Sequence, residues 1–214
     1  MTIRIAALAS GRGSNLQAVI DAIAAGTLDA GIVGVFSDKP DAAALQRVPE
    51  ALRWSRQPKT FASRDAFDAA LGDAVAASEP DWIICVGYMR ILGEAFVQRF
   101  RGRLLNIHPS LLPKYKGLHT HARALEAGDA EHGASVHLVT AELDAGAVIA
   151  QARVQVQAGD DAVQVAAQQV EIEHDAGFTQ WKPTSLEQRH RAPRRSRALL
   201  FAMPALQSSR SAAI

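Results

Sequence analysis

The sequence predicts an α/β fold, a Rossmann-like and mostly parallel sheet with helices on both faces. Two observations carry that expectation. Short runs that are apolar along their whole length alternate with segments whose apolar residues recur every three or four positions. The runs also lack the in-and-out alternation of a sheet wetted on one side, so both faces must be covered.

Taken in order, Ile3 to Ala9 is the first strand and ends in a glycine turn. A helix follows in which Leu16, Val19, Ile20 and Ile23 share a face, and Gly26 stops it. Ile32 to Phe36 is the second strand. Pro49 interrupts the segment after Ala42 and ends any helix there early. Ala66 to Ala77 reads as a helix with Phe67, Leu71 and Val75 on one side. Trp82 to Val86 and Arg103 to Ile107 are the third and fourth strands.

Length and composition bound the rest. The 214 residues, 48% of them apolar, suit one large domain with a modest extension and no need of a stabilising disulfide or metal. The one cysteine, Cys85, lies inside an apolar strand and reads as a small buried hydrophobe. No run approaches the roughly 18 apolar residues of a membrane span, and the first apolar run breaks at Ser10-Gly11, too short for a signal peptide. A soluble, cytoplasmic protein without a membrane partner is expected. Residues 175–214 hold seven basic and two acidic residues, a net +5, against −4 for residues 1–174. The domain is therefore placed at 1–174 and an atypical basic tail, irregular or disordered, at 175–214, with Ala198 to Met203 its one helical stretch. The acidic balance of the larger part argues against nucleic acid as its main partner.

In open parallel sheets, ligands sit beyond the carboxyl ends of the strands. The first such segment is Ser10-Gly11-Arg12-Gly13-Ser14-Asn15, where two glycines and a helix N-terminus suit an anion such as phosphate. It is neither a full dinucleotide fingerprint nor a P-loop, and Asp38 at the end of the second strand leaves a nucleotide-cofactor enzyme open. The fourth strand runs into Asn106-Ile107-His108-Pro109-Ser110-Leu111-Leu112-Pro113-Lys114-Tyr115-Lys116-Gly117-Leu118-His119-Thr120-His121. Asn106 and His108 stand two apart on an extended segment and project to the same side, which suits two donors to a carbonyl oxygen that becomes negative. His119 and His121 have metal-like spacing but no nearby cysteine or carboxylate to complete a site.

That stretch, with Gly11–Gln17, Gly87–Leu92 and Glu142–Gly146, resembles the phosphoribosylglycinamide formyltransferases, folate-dependent enzymes of purine synthesis. The resemblance runs from about residue 3 to about residue 174. It implies the formyltransferase fold and transfer of the formyl group of 10-formyltetrahydrofolate, a co-substrate, to the amine of glycinamide ribonucleotide. It implies that Asn106, His108 and Asp144 form the catalytic group. Gly13, Ser14, Asn15, Leu16, Gln17 and Glu173 match residues that hold the ribonucleotide. Arg64, Met89, Arg90, Ile91, Leu92, Asn106, Thr140, Ala141, Glu142, Leu143 and Asp144 match the folate pocket. The Asp144 carboxylate favours a charged imidazole at His108, the chemistry requires no metal, and the partners are small molecules acting on a monomer or homodimer.

Two departures stand out. Lys116 occupies a position where family members often have proline, and after His174 the chain loses the apolar helix with which the family continues. Rival readings within the fold are the formyltransferase of initiator methionyl-tRNA and the hydrolase of formyltetrahydrofolate, each normally carrying an added domain. The hydrolase also has a second histidine where this chain has Pro109. A rival from another class is a nucleic-acid-associating protein acting through the basic tail.

Overall fold

The computed structural model describes residues 2–157, 159–166 and 182–183. They fall into two compact units, the first made of residues 2–106 and 139–141, the second of 107–138 and the described residues from 142 on.

The first unit is the expected α/β sheet. Strand β1 (Ile3–Leu8) leads to helix α1 (Ser14–Ala24), and β2 (Ala30–Ser37) to the short edge strand β3 (Arg53–Ser55). Helix α2 (Arg64–Ala77), strand β4 (Trp82–Cys85), helix α3 (Glu94–Arg99) and strand β5 (Leu104–His108) follow. The strand order is β3-β2-β1-β4-β5, and every pairing is parallel. The segment around Pro49 forms only 3-10 turns, at Ala43–Arg47 and Glu50–Leu52, as the proline dictates. Helix α2 begins two residues earlier than its apolar period implies, because Ser63 caps it by accepting the Ala66 amide at 3.1 Å. Phe67, Leu71 and Val75 of α2 are fully buried against Ala6, Leu8, Phe36, Ile83 and Phe100. Each such side chain contributes roughly 1.5–3 kcal/mol by leaving water. Cys85 belongs to this core, and burial pushes its thiol up to about 12, an inert sulfur as expected.

The second unit begins with the last two residues of β5 and contains helix α4 (Thr120–Glu126) and strands β6 (Glu131–Leu138) and β7 (Val148–Gln155). β6 and β7 pair antiparallel, from Glu131 opposite Gln155 to His137 opposite Val148. Gly133 is required there, because a Cβ at its position would lie 2.0 Å from the Ala152 carbonyl oxygen. Residues 162–166 are helical. Lys182–Pro183 form a two-residue strand, β8, antiparallel to β7 at Ala150 and Gln151. The rest of the expected tail, with the helix foreseen at Ala198 to Met203, lies outside the described residues, and so does Glu173. Among the described residues no helix is long and apolar enough to cross a membrane.

Candidate active site

His108 ends β5, and only 5% of it is exposed. Its Nε2 lies 2.9 Å from the Tyr115 carbonyl oxygen; a carbonyl only accepts, so this nitrogen carries a hydrogen. Its Nδ1 lies 3.3 Å from Oδ2 of Asp144. Both ring nitrogens therefore face oxygen acceptors, which suits a ring with two N–H groups. The contact to Asp144 is the longer, so Nδ1 is the more loosely held of the two.

Asp144 comes from the loop between β6 and β7, where its backbone sits at φ 48°, a region that aspartate tolerates better than most residues. Its Oδ2 also accepts the Gly117 amide at 2.9 Å, and its Oδ1 lies 3.6 Å from Nε2 of His137. His137 carries a second buried ring beside the pair, edge-on to His108 at a centroid distance of 6.3 Å. Burial lowers the pKa of His137, and the neighbouring His108 adds to that against the opposing effects of the Leu138 carbonyl and Asp144.

A polar network behind the site aims the Tyr115 carbonyl. Ser110 donates to the Lys114 carbonyl at 2.7 Å, and its own carbonyl accepts the Ser135 hydroxyl at 2.7 Å. Ser135 accepts the Leu112 amide at 3.0 Å, while Gln151 donates to the Leu112 carbonyl at 2.9 Å. The side chains of Ser110 and Ser135 are buried, so each bond lost here leaves an unsatisfied group and costs about 1–3 kcal/mol. Sequence reasoning misses Ser110, Ser135, His137 and Gln151. For Ser135, His137 and Gln151 the only signal is that they are polar side chains interrupting β6 and β7, and Ser110 lies in the stretch after β5.

His119, at φ 58°, is the N-cap residue of α4, which starts at Thr120. The His121 ring lies with Nδ1 2.9 Å from Nε2 of His132. Burial, then the adjacent His121, pulls His132 down to about 4. Among the described residues no group of three histidines, cysteines or carboxylates is arranged to hold a metal ion.

In the first unit, Asn106 lies opposite Cys85 in the β4–β5 ladder. Gly13 caps α1 at φ 72°, and a Cβ there would meet Ala44 at 2.7 Å. The Gln17 amide returns to the Gly13 carbonyl at 2.9 Å, so the amides of residues 14–16 are the ones this helix start presents. Leu16 is fully buried, which leaves its backbone alone for a ligand. The Gln17 side chain is taken up by Arg47 and Asp21. Asn15 Oδ1 is buried without a hydrogen-bond partner.

Residues 87–93 form a braced segment. The Gly87 carbonyl accepts the Ser10 amide, the Met89 amide donates to Ser10 Oγ, the Ile91 carbonyl accepts Arg64 Nη2, and the Gly93 amide donates to Asp68. Met89 and Ile91 are exposed apolar side chains, at 69% and 63%. The Tyr88 hydroxyl and Arg90 Nε are buried without hydrogen-bond partners. Of the remaining residues matched to folate, Thr140 and Ala141 belong to the first unit and Glu142 and Leu143 to the second. There Glu142 pairs with Lys116 at 3.1 Å.

Comparison with known proteins follows the same lines. The formyl transferase family model matches residues 3–180. The chain is 49% identical over 174 residues to phosphoribosylglycinamide formyltransferase of Escherichia coli K12, covering 80% of this chain and 82% of the relative. It is equally identical over 162 residues to the trifunctional purine biosynthetic protein adenosine-3 of Drosophila melanogaster, spanning 74% of this chain and 12% of that much longer protein. The crystal structure of glycinamide ribonucleotide transformylase 1 from Symbiobacterium toebii superposes with a TM-score of 0.78 at 40% identity, over 81% of this chain and 83% of that one.

Proposed function

This chain belongs to the formyl transferase family, and from that premise we infer that it carries the formyl group of 10-formyltetrahydrofolate to the amine of glycinamide ribonucleotide. It is an enzyme of purine biosynthesis. The observation that supports the assignment of roles is the buried His108 ring, spanning the Tyr115 carbonyl and the Asp144 carboxylate.

The neutral amine attacks the formyl carbon, and the carbonyl oxygen becomes an oxyanion as the new C–N bond forms. Collapse restores the carbonyl and breaks the bond to N10 of the folate. The attacking nitrogen gives up one proton and N10 gains one, so the products are the formylated amine and tetrahydrofolate. Asn106 and His108, alternate residues of β5, donate to the oxyanion. Nδ1 of His108 is the nitrogen that turns to it, because Nε2 is committed to Tyr115. Asp144 balances the charge on the ring and receives the travelling proton, directly or through a water it orients. The amides of 14–16 take the ribonucleotide phosphate, Glu173 helps hold the ribonucleotide, and the segment 89–92 with Arg64 and 140–144 takes the folate. The protein works on these small molecules in the cytoplasm, as a monomer or homodimer.

Release of tetrahydrofolate by the purified protein, followed with and without glycinamide ribonucleotide, tests this reading. Release that depends on the ribonucleotide is expected. Equal release without it would indicate a hydrolase, and no release in either case would refute the assignment.

A further inference from the structure

Ser10 and Asp38 are given no part in the proposed reaction, yet both are buried at the carboxyl ends of β1 and β2, with exposures of 3% and 7%. The Ser10 hydroxyl lies 2.6 Å from Asp38 Oδ1 and 2.9 Å from the Met89 amide nitrogen. The direction of this chain is fixed by chemistry. An ionised carboxylate only accepts, so the serine hydrogen goes to Asp38 and its lone pair is turned to the Met89 N–H. The charge on Asp38 polarises the hydroxyl and strengthens its acceptance from Met89.

The backbone of Ser10 adds a second tie, its amide donating to the Gly87 carbonyl at 3.0 Å. Along 87–93 the tethers fall on alternate residues: Gly87 and Met89 to Ser10, Ile91 to Arg64, and Gly93 to Asp68. Of the residues between them, Tyr88 and Arg90 each carry a buried polar atom that has no hydrogen-bond partner. The segment is not a strand: it bends at Gly87, whose φ is 76°, and at Arg90, so these ties and not a sheet ladder fix its course.

We propose that Asp38, acting through the Ser10 hydroxyl, is a positioning residue that sets the backbone of 87–92 for folate and not for the ribonucleotide. The proposal rests on the folate reading of that segment. Neither side chain need touch substrate; they act by holding Met89.

The test compares Ser10→Ala, Asp38→Ala and Asp38→Asn with the unaltered protein. Binding of tetrahydrofolate is measured by calorimetry, and KM for each substrate and kcat by steady-state assay. Ser10→Ala and Asp38→Ala are expected to weaken tetrahydrofolate and raise the KM for 10-formyltetrahydrofolate on the order of ten-fold, as loss of a buried hydrogen bond implies. The ribonucleotide KM should move much less. Asp38→Asn should recover most of the affinity, because its amide oxygen still accepts the serine hydroxyl. Thermal melts show which variants are folded, and Asp38→Asn, isosteric with the original, keeps the test open if the alanine variants are not. Equal losses for both substrates, or an Asp38→Asn as impaired as Asp38→Ala, would overturn the proposal. If the unaltered protein binds no tetrahydrofolate, the folate reading itself fails; if it binds and Ser10→Ala binds equally, this proposal alone fails.

Discussion

Oδ2 of Asp144 lies 3.3 Å from His108 Nδ1 and accepts the Gly117 amide at 2.9 Å, so one carboxylate oxygen ties the catalytic candidate to the loop that follows it. Asp144 also holds a left-handed turn at φ 48°. Asp144→Asn separates the two duties, since asparagine accepts that conformation and can keep the Gly117 bond but carries no charge. The variant should melt within about 1 kcal/mol of the original. It should lose roughly 10- to 100-fold in kcat, the worth of a charged hydrogen bond of about 1.5–3 kcal/mol. A melt that collapses while kcat per folded molecule stays unchanged would make Asp144 a turn residue only.

His108→Ala should remove nearly all turnover while both substrates bind within a few-fold of the original, as calorimetry would show. Loss of one oxyanion donor typically raises the barrier by ~2.7–4 kcal/mol. Asn106→Ala should have the same character and a milder effect, being one donor of two. A His108→Ala protein that keeps most of its rate rules out the assignment.

How much of this is legible in the sequence depends on the kind of residue. Four of the five parallel strands of the first unit are, because runs such as Trp82–Cys85 have no polar residue to confuse their reading, whereas β3, Arg53–Ser55, has no apolar run and is missed. β7 carries a strand signal too, in the alternation of buried Ala150, Ala152 and Val154 with more exposed neighbours. β6 hides its signal: its buried positions include His132, Ser135 and His137, which only a partner network makes tolerable. The His108–Asp144 contact bridges 36 residues of sequence and is invisible to any local period; only the likeness to a family points to it. Arg64 reads as a helix-start charge, and its bond to the Ile91 carbonyl depends on a packing that no spacing encodes.

Two buried histidines, His132 and His137, and the half-buried His121 give the protein a pH dependence of known sign. Burial lowers His121, His132 and His137, the second to about 4, from an ordinary value of about 6.5. The folded protein keeps them neutral, while the unfolded chain takes up protons as the pH falls below about 6.5. Their stabilisation is therefore complete above about 6.5 and is lost progressively toward about 4. Urea midpoints from neutral pH down to about pH 4.5 should fall steadily. His132→Asn should flatten that fall even if it lowers the midpoint at neutral pH. An unchanged slope would remove His132 from the account.

Lys116 and Glu142 meet at 3.1 Å, but both side chains are well exposed, at 39% and 76%. Such pairs are worth about 0.2–1 kcal/mol and are screened by salt. Lys116→Ala should thus cost no more than about 1 kcal/mol, with most of the loss gone in about 0.5 M salt. A double-mutant cycle with Glu142→Ala measures the pair directly. A coupling that persists at high salt would show that Lys116 acts through something other than this charge.

The loop at the start of α1 offers the sharpest separation of a binding role from a structural one. Gly13 holds φ 72°, and a Cβ there would lie 2.7 Å from Ala44 Cβ and 2.8 Å from its Cα. Gly13→Ala must therefore bear left-handed strain of roughly 1–2 kcal/mol and also push away the 3-10 turn at Ala43–Arg47. That turn is tied to the loop through the Ala44 amide on the Gly11 carbonyl and Arg47 on the Arg12 carbonyl, so the amides at 14–16 move with it. If those amides and the positive end of the helix hold the ribonucleotide phosphate, inorganic phosphate competes with the ribonucleotide and not with the folate. Gly13→Ala should then raise the phosphate inhibition constant and the ribonucleotide KM by similar factors, because one site is damaged for both. A loop that is only a turn predicts a lower melting temperature with the phosphate constant unchanged in the folded fraction. Phosphate inhibition that is non-competitive with the ribonucleotide would place the anion elsewhere and leave Gly13 a purely structural residue.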